Sequence, residues 1–191
     1  MVISRWPNHR DHTWKAPTTI AYAAENQQKL SRDHWGFEVT HDLKQYTWTK
    51  LLLDKDVDMT QFDDPRLREM YGDGFLKLPH GKTAQDVTED YLRGLYNFTV
   101  QKLEQELGSA VRTMPMEVWM TYPAIWSVKA TEATKAAAKA AGFGSRPSDT
   151  FNMITEPEAA ALVAMKPHLG LEAIDPVQVC CPSPVNTFVY K

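Results

Sequence analysis

The residues best placed to do chemistry are Thr155-Glu156-Pro157-Glu158, a polar step between an apolar run and an alanine-rich one. Proline is favoured at the first helical position, which puts Glu156 at the N-cap of a helix that follows a strand. In an open α/β sheet the strand tip is where ligands bind, so a carboxylate there is a candidate site residue. Taken locally, the same four residues also make an ordinary capping carboxylate, or a capping box of Thr155 with Glu158.

Other chemical signals fail on spacing. His9 and His12 form an H-x-x-H around Asp11, but zinc needs more ligands and no Cys is near, so a solvated turn is expected. Asp54, Asp56 and Asp58 begin like a calcium loop. Met59 stands where the glycine belongs and Pro65 where the bidentate Glu belongs, so the acidic stretch 54–75 reads as a solvated loop. Gly81-Lys82-Thr83 resembles the end of a phosphate loop, yet Leu76 occupies the place of its first glycine. Gly142-Phe143-Gly144 exits a helix where a dinucleotide turn would open one. No nucleophile–base pair stands out.

The elements that must position Glu156 are readable. Val118, Met120 and Tyr122 alternate as one face of a strand over 116–122, which Pro123 ends because it has no N–H for a ladder. Ser127 is a good N-cap for a helix over Val128–Ala141, rich in Ala and Lys, that Gly142 closes. A polar loop with Arg146, Pro147, Ser148 and Asp149 leads to a strand over 151–154 and a second Ala-rich helix. Strand–helix–strand–helix predicts an α/β domain whose two strands are parallel neighbours. Upstream, 16–23 reads as a strand, 24–34 as a polar turn or hairpin and 35–39 as a second short strand, with 46–53 packed beneath. Thr83 caps a helix over Ala84–Leu107, whose core face is Val87, Tyr91, Leu95 and Phe98, widened by Leu92, Leu103 and Leu107; Gly108 stops it.

Composition sets bounds. A chain of 191 residues, 43% hydrophobic, is enough for one domain with a core. A net charge of -3 argues against a broad nucleic-acid surface. No apolar run suits a membrane span, and MVISRWPNHRDH lacks the apolar centre of a secretory signal. Cys180 and Cys181 are adjacent, so no disulfide framework is implied and a cytoplasmic setting is expected.

The segments TYPAIW, EATKAAAKAAGF and MITEPEAAAL together resemble the actin-like ATPase domain of heat-shock protein 70 family chaperones, and most of all its divergent, chaperone-like fungal type. KAPTTIAY, WGFEV and GKTAQDVTEDYLRGLY echo the same pattern, so the resemblance runs from Trp6 to about Gly170. It implies the first lobe of an actin-like ATPase (ribonuclease H-like) domain, truncated at both ends. The core subdomain would be 1–16 and 113–174, the smaller subdomain 17–112, and 175–191 a non-matching tail. In the family, ATP and magnesium lie between two lobes; Glu156 takes the place of the carboxylate that positions the attacking water, and Pro123 that of the strand-end proline that relays nucleotide state. Thr131 stands where the relay's basic partner belongs. The family also brings a lysine of the smaller subdomain to the phosphates, but the motif around it is not reproduced, and Lys50 is expected at the surface.

The resemblance has gaps. No glycine precedes Gly36 or follows Gly170, so neither Gly-rich phosphate hairpin of the family is present. Pro176, Pro182 and Pro184 argue against a central strand in the tail, which reads like unrelated sequence from a shifted frame. The expectation is therefore an inactive fragment of an ATPase relative, which binds nucleotide weakly or not at all and hydrolyses none, with protein clients or partner domains and neither nucleic acid nor membrane as partners. The alternative is a nucleotide-free protein-interaction module, whose surface would be the aromatic-rich stretch 46–53 if it is exposed.

Overall fold

The computed structural model describes residues 3–55, 66, 69, 72–165, 177–180 and 186–190. It is a mixed α/β structure with two sheets. The smaller sheet holds β1 (Thr19–Ala21) between β2 (His34–Trp35) and β3 (Tyr46–Thr47), both antiparallel to it. These strands are shorter than their sequence suggests. The second expected strand stops at Trp35 because Gly36 takes a φ of +60° and turns the chain into a 3-10 segment, Gly36–Glu38.

The larger sheet has β4 (Glu117–Tyr122) and β5 (Thr150–Thr155) as parallel neighbours, in register from Glu117↔Thr150 to Tyr122↔Thr155. The helix Val128–Ala141 connects them, as expected; it follows α1 (Ala84–Leu107) in the chain and is α2. The tail corrects the sequence expectation. β7 (Asn186–Tyr190) lies antiparallel against the other side of β4, and β6 (Val177–Cys180) pairs with β7, so the order is β5-β4-β7-β6. Neither strand contains a proline, so the missing N–H groups do not interrupt the ladder. The sheet is mixed instead of parallel throughout.

α1 begins with a reciprocal capping box: Thr83 Oγ1 accepts from the Asp86 N–H, and Asp86 accepts from the Thr83 N–H. Tyr91, Leu92, Leu95 and Leu103 are buried with Val118 and Met120 of β4 and Ala137, Ala138 and Ala141 of α2. The small side chains of α2 are what let it lie close to its neighbours. Leu107 is 44% exposed, so the apolar face of α1 ends one turn earlier than its pattern implies. Ser127 caps α2 by accepting from the Ala130 N–H.

A clasp fixes the start of both core strands. Arg146 donates to the carbonyls of Val111 (3.0 Å), Arg112 (2.9 Å) and Met114 (2.7 Å), and to Asp149. The Asp149 side chain is fully buried and also accepts from the Met116 N–H at 2.9 Å. The polar loop expected between helix and strand thus ties β5 to the approach to β4.

Candidate functional site

Glu156 stands at the end of β5, in the first turn of α3 (Glu156–Met165). It is not the N-cap. Thr155 is, because its hydroxyl accepts from the Glu158 N–H while Glu158 accepts from the Thr155 N–H (3.0 Å) and hydroxyl (2.6 Å). These bonds hold the Glu158 carboxyl below its ordinary range, the hydroxyl contributing most. The capping duty therefore falls on Thr155 and Glu158, and leaves Glu156, 37% exposed at its side chain, with none of it.

What faces Glu156 was misjudged from sequence. Lys50 is only 2% exposed, and its ammonium lies 3.9 Å from Glu156 Oε1, an ion-pair distance longer than a hydrogen bond. The same Nζ sits 4.6 Å from the centre of the Trp126 ring, a favourable place for a cation. Lys50 rides on the 3-10 turn Thr49–Leu53, which follows β3. Trp48, just before it, has a left-handed φ of +61°, uncommon for a bulky residue, costing about 1–3 kcal/mol. That conformation swings the chain from the small sheet into the turn that carries Lys50. Nothing in the local sequence signals it, which is why Lys50 looked like a surface lysine.

Asp54 is also corrected: it is buried, not part of a solvated loop. It accepts from both the Ser127 N–H (2.8 Å) and the Ser127 hydroxyl (3.1 Å), pinning the end of the Lys50 turn to the start of α2. Asp56, Asp58, Met59, Asp63, Asp64 and Pro65 lie outside the described residues. Pro123 ends β4 as expected, and its carbonyl accepts from the Trp126 N–H at 3.1 Å. Thr131 donates to the Ser127 carbonyl, an internal helix contact. Glu156 and Pro123 thus close the tips of adjacent parallel strands, and the 3-10 turn Thr49–Leu53 brings Lys50 and Asp54 to that edge.

The other sequence candidates go elsewhere. His9 stacks on Phe37, with 3.8 Å between ring centres, and His12 bonds Ser4 and Arg5. Among the described residues no group of three or more His, Cys, Asp or Glu side chains could hold a metal. Tyr46 and Leu53 are buried and Trp48 packs on Phe75 (5.7 Å between ring centres), so the stretch 46–53 is not the exposed aromatic surface the alternative needed. A cavity of about 510 Å³ lies elsewhere among the described residues and borders neither Glu156, Lys50 nor Pro123. No helix among the described residues is long and apolar enough to cross a membrane.

Chemically, the edge offers a buried, fixed ammonium beside a partly exposed carboxylate. The ammonium can donate to an anion, and the carboxylate can accept from a water. No protein-family model matches the chain, and neither a curated protein nor a solved structure matches it.

Proposed function

We propose that Lys50 and Glu156 form the phosphate-facing edge of a nucleotide-binding lobe of the heat-shock protein 70-like, actin-like ATPase kind, and that this chain alone binds magnesium-ATP weakly. One observation carries the proposal: a lysine of the smaller subdomain and the carboxylate at the β5 tip, far apart in sequence, meet at 3.9 Å. The resemblance implies a smaller-subdomain lysine at the phosphates and a carboxylate that positions the attacking water, although the residues around Lys50 do not reproduce the family's lysine motif. In this arrangement Lys50 meets a phosphate oxygen and Glu156 orients the attacking water. Pro123 ends β4 beside the β5 tip that carries Glu156, and Asp54 anchors the end of the turn that carries Lys50.

The residues suit a phosphate and a water better than a metal. Magnesium, when bound, would supply charge neutralisation on the phosphates, and among the described residues of this edge Glu156 is the partly exposed carboxylate that would reach it through water. Phosphoryl transfer depends on positioning and electrostatics, and in the family most of both comes from backbone N–H groups in two Gly-rich turns. The sequence has no such turn. The lobe's clients or partner domains, and a cytoplasmic chaperone role, follow only from the same resemblance. A second reading, a nucleotide-free interaction module, has one supporting observation: Ile125 and Val128, beside Pro123, are 86% and 80% exposed.

Calorimetric titration with magnesium-ATP tests the proposal. The expected dissociation constant is about 1 mM or weaker, near -4 kcal/mol, and Lys50→Met removes what binding there is. Micromolar binding, about -8 kcal/mol, would overturn the expected weakness, and binding indifferent to Lys50→Met would overturn the site. In a longer chain that carries both hairpins and the second lobe, Glu156→Gln slows hydrolysis far more than it weakens ATP binding.

A further inference from the structure

A short strap, 72–76, lies along the edge of β3 that faces away from β1. Its 3-10 turn Gly72–Gly74 leads into Phe75, which bridges to Thr47 in the parallel sense, and the Leu76 N–H donates to the Thr47 carbonyl at 3.2 Å. At Gly74 the approach is backbone against backbone. A Cβ there would fall 1.5 Å from the Gln45 carbonyl oxygen, so no larger residue fits while the strap is seated. Phe75 is buried and meets the Trp48 ring edge-on, 5.7 Å between centres.

Strain collects at this contact. Trp48 and Leu76 each stand one residue past a bridged one, at φ of +61° and +53°. A bulky side chain is at odds with that left-handed region, where glycine, asparagine and aspartate are at ease. Breaking the Thr47–Phe75 bridge lets both residues return to ordinary backbone, so one contact maintains two strained positions. Such an element has two discrete arrangements instead of a continuous range.

Trp48 leads directly into the turn Thr49–Leu53 that carries Lys50. Lys50 is buried there, its ammonium 4.6 Å from the centre of the Trp126 ring and 3.9 Å from Glu156. The far end of the turn is anchored separately, by Asp54 on Ser127. A change of φ at Trp48 therefore swings Lys50 about that anchor, away from Trp126 and Glu156.

We infer that the strap 72–76 is a latch on Lys50. Seated on β3, it holds Trp48 left-handed and Lys50 buried. Lifted, it lets Trp48 relax and turns the Lys50 ammonium out to solvent. Anything that binds the exposed ammonium shifts the latch to its lifted position. The latch concerns the exposure of Lys50 alone, and stands whether or not this edge meets a nucleotide.

The test is trace acetylation of the full chain by acetic anhydride, without nucleotide. Mass spectrometry reads the rate at Lys50 against that at the exposed Lys139. Gly74→Ala drives a Cβ onto the Gln45 carbonyl and unseats the strap, and the Lys50 rate rises about tenfold or more. Leu76→Gly relieves one of the two strained positions with the strap seated, and the Lys50 rate falls about threefold. Hydrogen exchange at the N–H of position 76, which donates across the bridge, follows the Lys50 rate in both variants. The Met120 amide, in the middle of β4, keeps its protection, which separates a lifted strap from an unfolded chain. A folded Gly74→Ala chain with an unchanged Lys50 rate would overturn the inference. Should Gly74→Ala unfold the chain, Leu76→Gly decides alone. A slower Lys50 rate with Met120 exchange unchanged supports the latch, and an unchanged or faster one overturns it.

Discussion

Replacing Asp54 is the sharpest probe of how the two sheets are joined. Its carboxylate accepts two hydrogen bonds from Ser127, and both groups are at least partly shielded from water. Hydrogen bonds to an ionised group contribute about 1.5–3 kcal/mol, and a donor left unpaired in a buried place costs about 1–3 kcal/mol. Asp54→Ala removes both bonds and strands the Ser127 N–H, while the Ser127 hydroxyl can still cap Ala130. Some of the loss is recovered because a buried carboxylate no longer has to be desolvated. The balance is a loss of about 3 kcal/mol. Asp54→Asn keeps an oxygen for the N–H and loses about 1 kcal/mol. Urea unfolding of both variants, with Ser127→Ala and the double Asp54→Ala/Ser127→Ala completing a cycle, isolates the hydroxyl bond at about 1 kcal/mol of coupling. A loss below about 0.5 kcal/mol for Asp54→Ala, or no coupling, would refute the clamp. The clamp also predicts that Asp54→Asn raises the acylation rate of Lys50 several-fold against that of the exposed Lys139, read by mass spectrometry.

Three further outcomes are expected. Arg146→Ala leaves the buried Asp149 charge and three carbonyls without their guanidinium, and lowers unfolding free energy by about 3–5 kcal/mol in urea titration. Gly142→Ala forces a side chain onto a φ of +123° with its Cβ within 2.6 Å of Tyr96, which packs on Phe143 and cannot yield freely; calorimetry should show a loss of about 1–3 kcal/mol. Stability should fall on the acid side. Burial alone would raise the Glu25 and Glu38 carboxyls, but hydrogen bonds from Lys44 and Tyr46 to Glu25, and from Arg32 to Glu38, outweigh it and hold both below their ordinary values. Carboxyls lowered in the folded state stabilise fully above their unfolded values near pH 4.5 and lose that contribution as pH drops through the folded ones. Thermal midpoints measured from pH 6 to pH 3 should therefore decline below about pH 4.5, less steeply in Arg32→Ala.

Much of the core unit was legible because its signals are local. Thr83 and Ser127 cap the helices they precede, Pro123 ends β4, and Gly108 and Gly142 end helices with positive φ. Those residues act on their own neighbours, so their types are enough. The site was half legible. Glu156 could be placed at a strand tip from its tetrad, but its capping role went to Thr155, since the strand runs one residue further than its apolar pattern. Lys50 and Asp54 were missed because tertiary contacts decide their burial. Lys50 meets Trp126 and Glu156, and Asp54 meets Ser127, all more than seventy residues further along the chain. The prolines of the tail lie outside its strands: Val177–Cys180 falls between Pro176 and Pro182, and Asn186–Tyr190 follows Pro184.

The place of β4 in its sheet has a consequence for synthesis. One neighbour, β5, follows it by roughly thirty residues, but the other, β7, follows by more than sixty, so the two edges of β4 are closed at very different times. At a translation rate of about 5–20 residues per second, the edge awaiting β7 stays open for about 3–12 s after β4 is made. An unpaired strand edge of that kind is a template for other chains. The nascent protein is thus most vulnerable to aggregation after β4, α2 and β5 exist and before the last strand arrives, which is when a holding chaperone would protect it most.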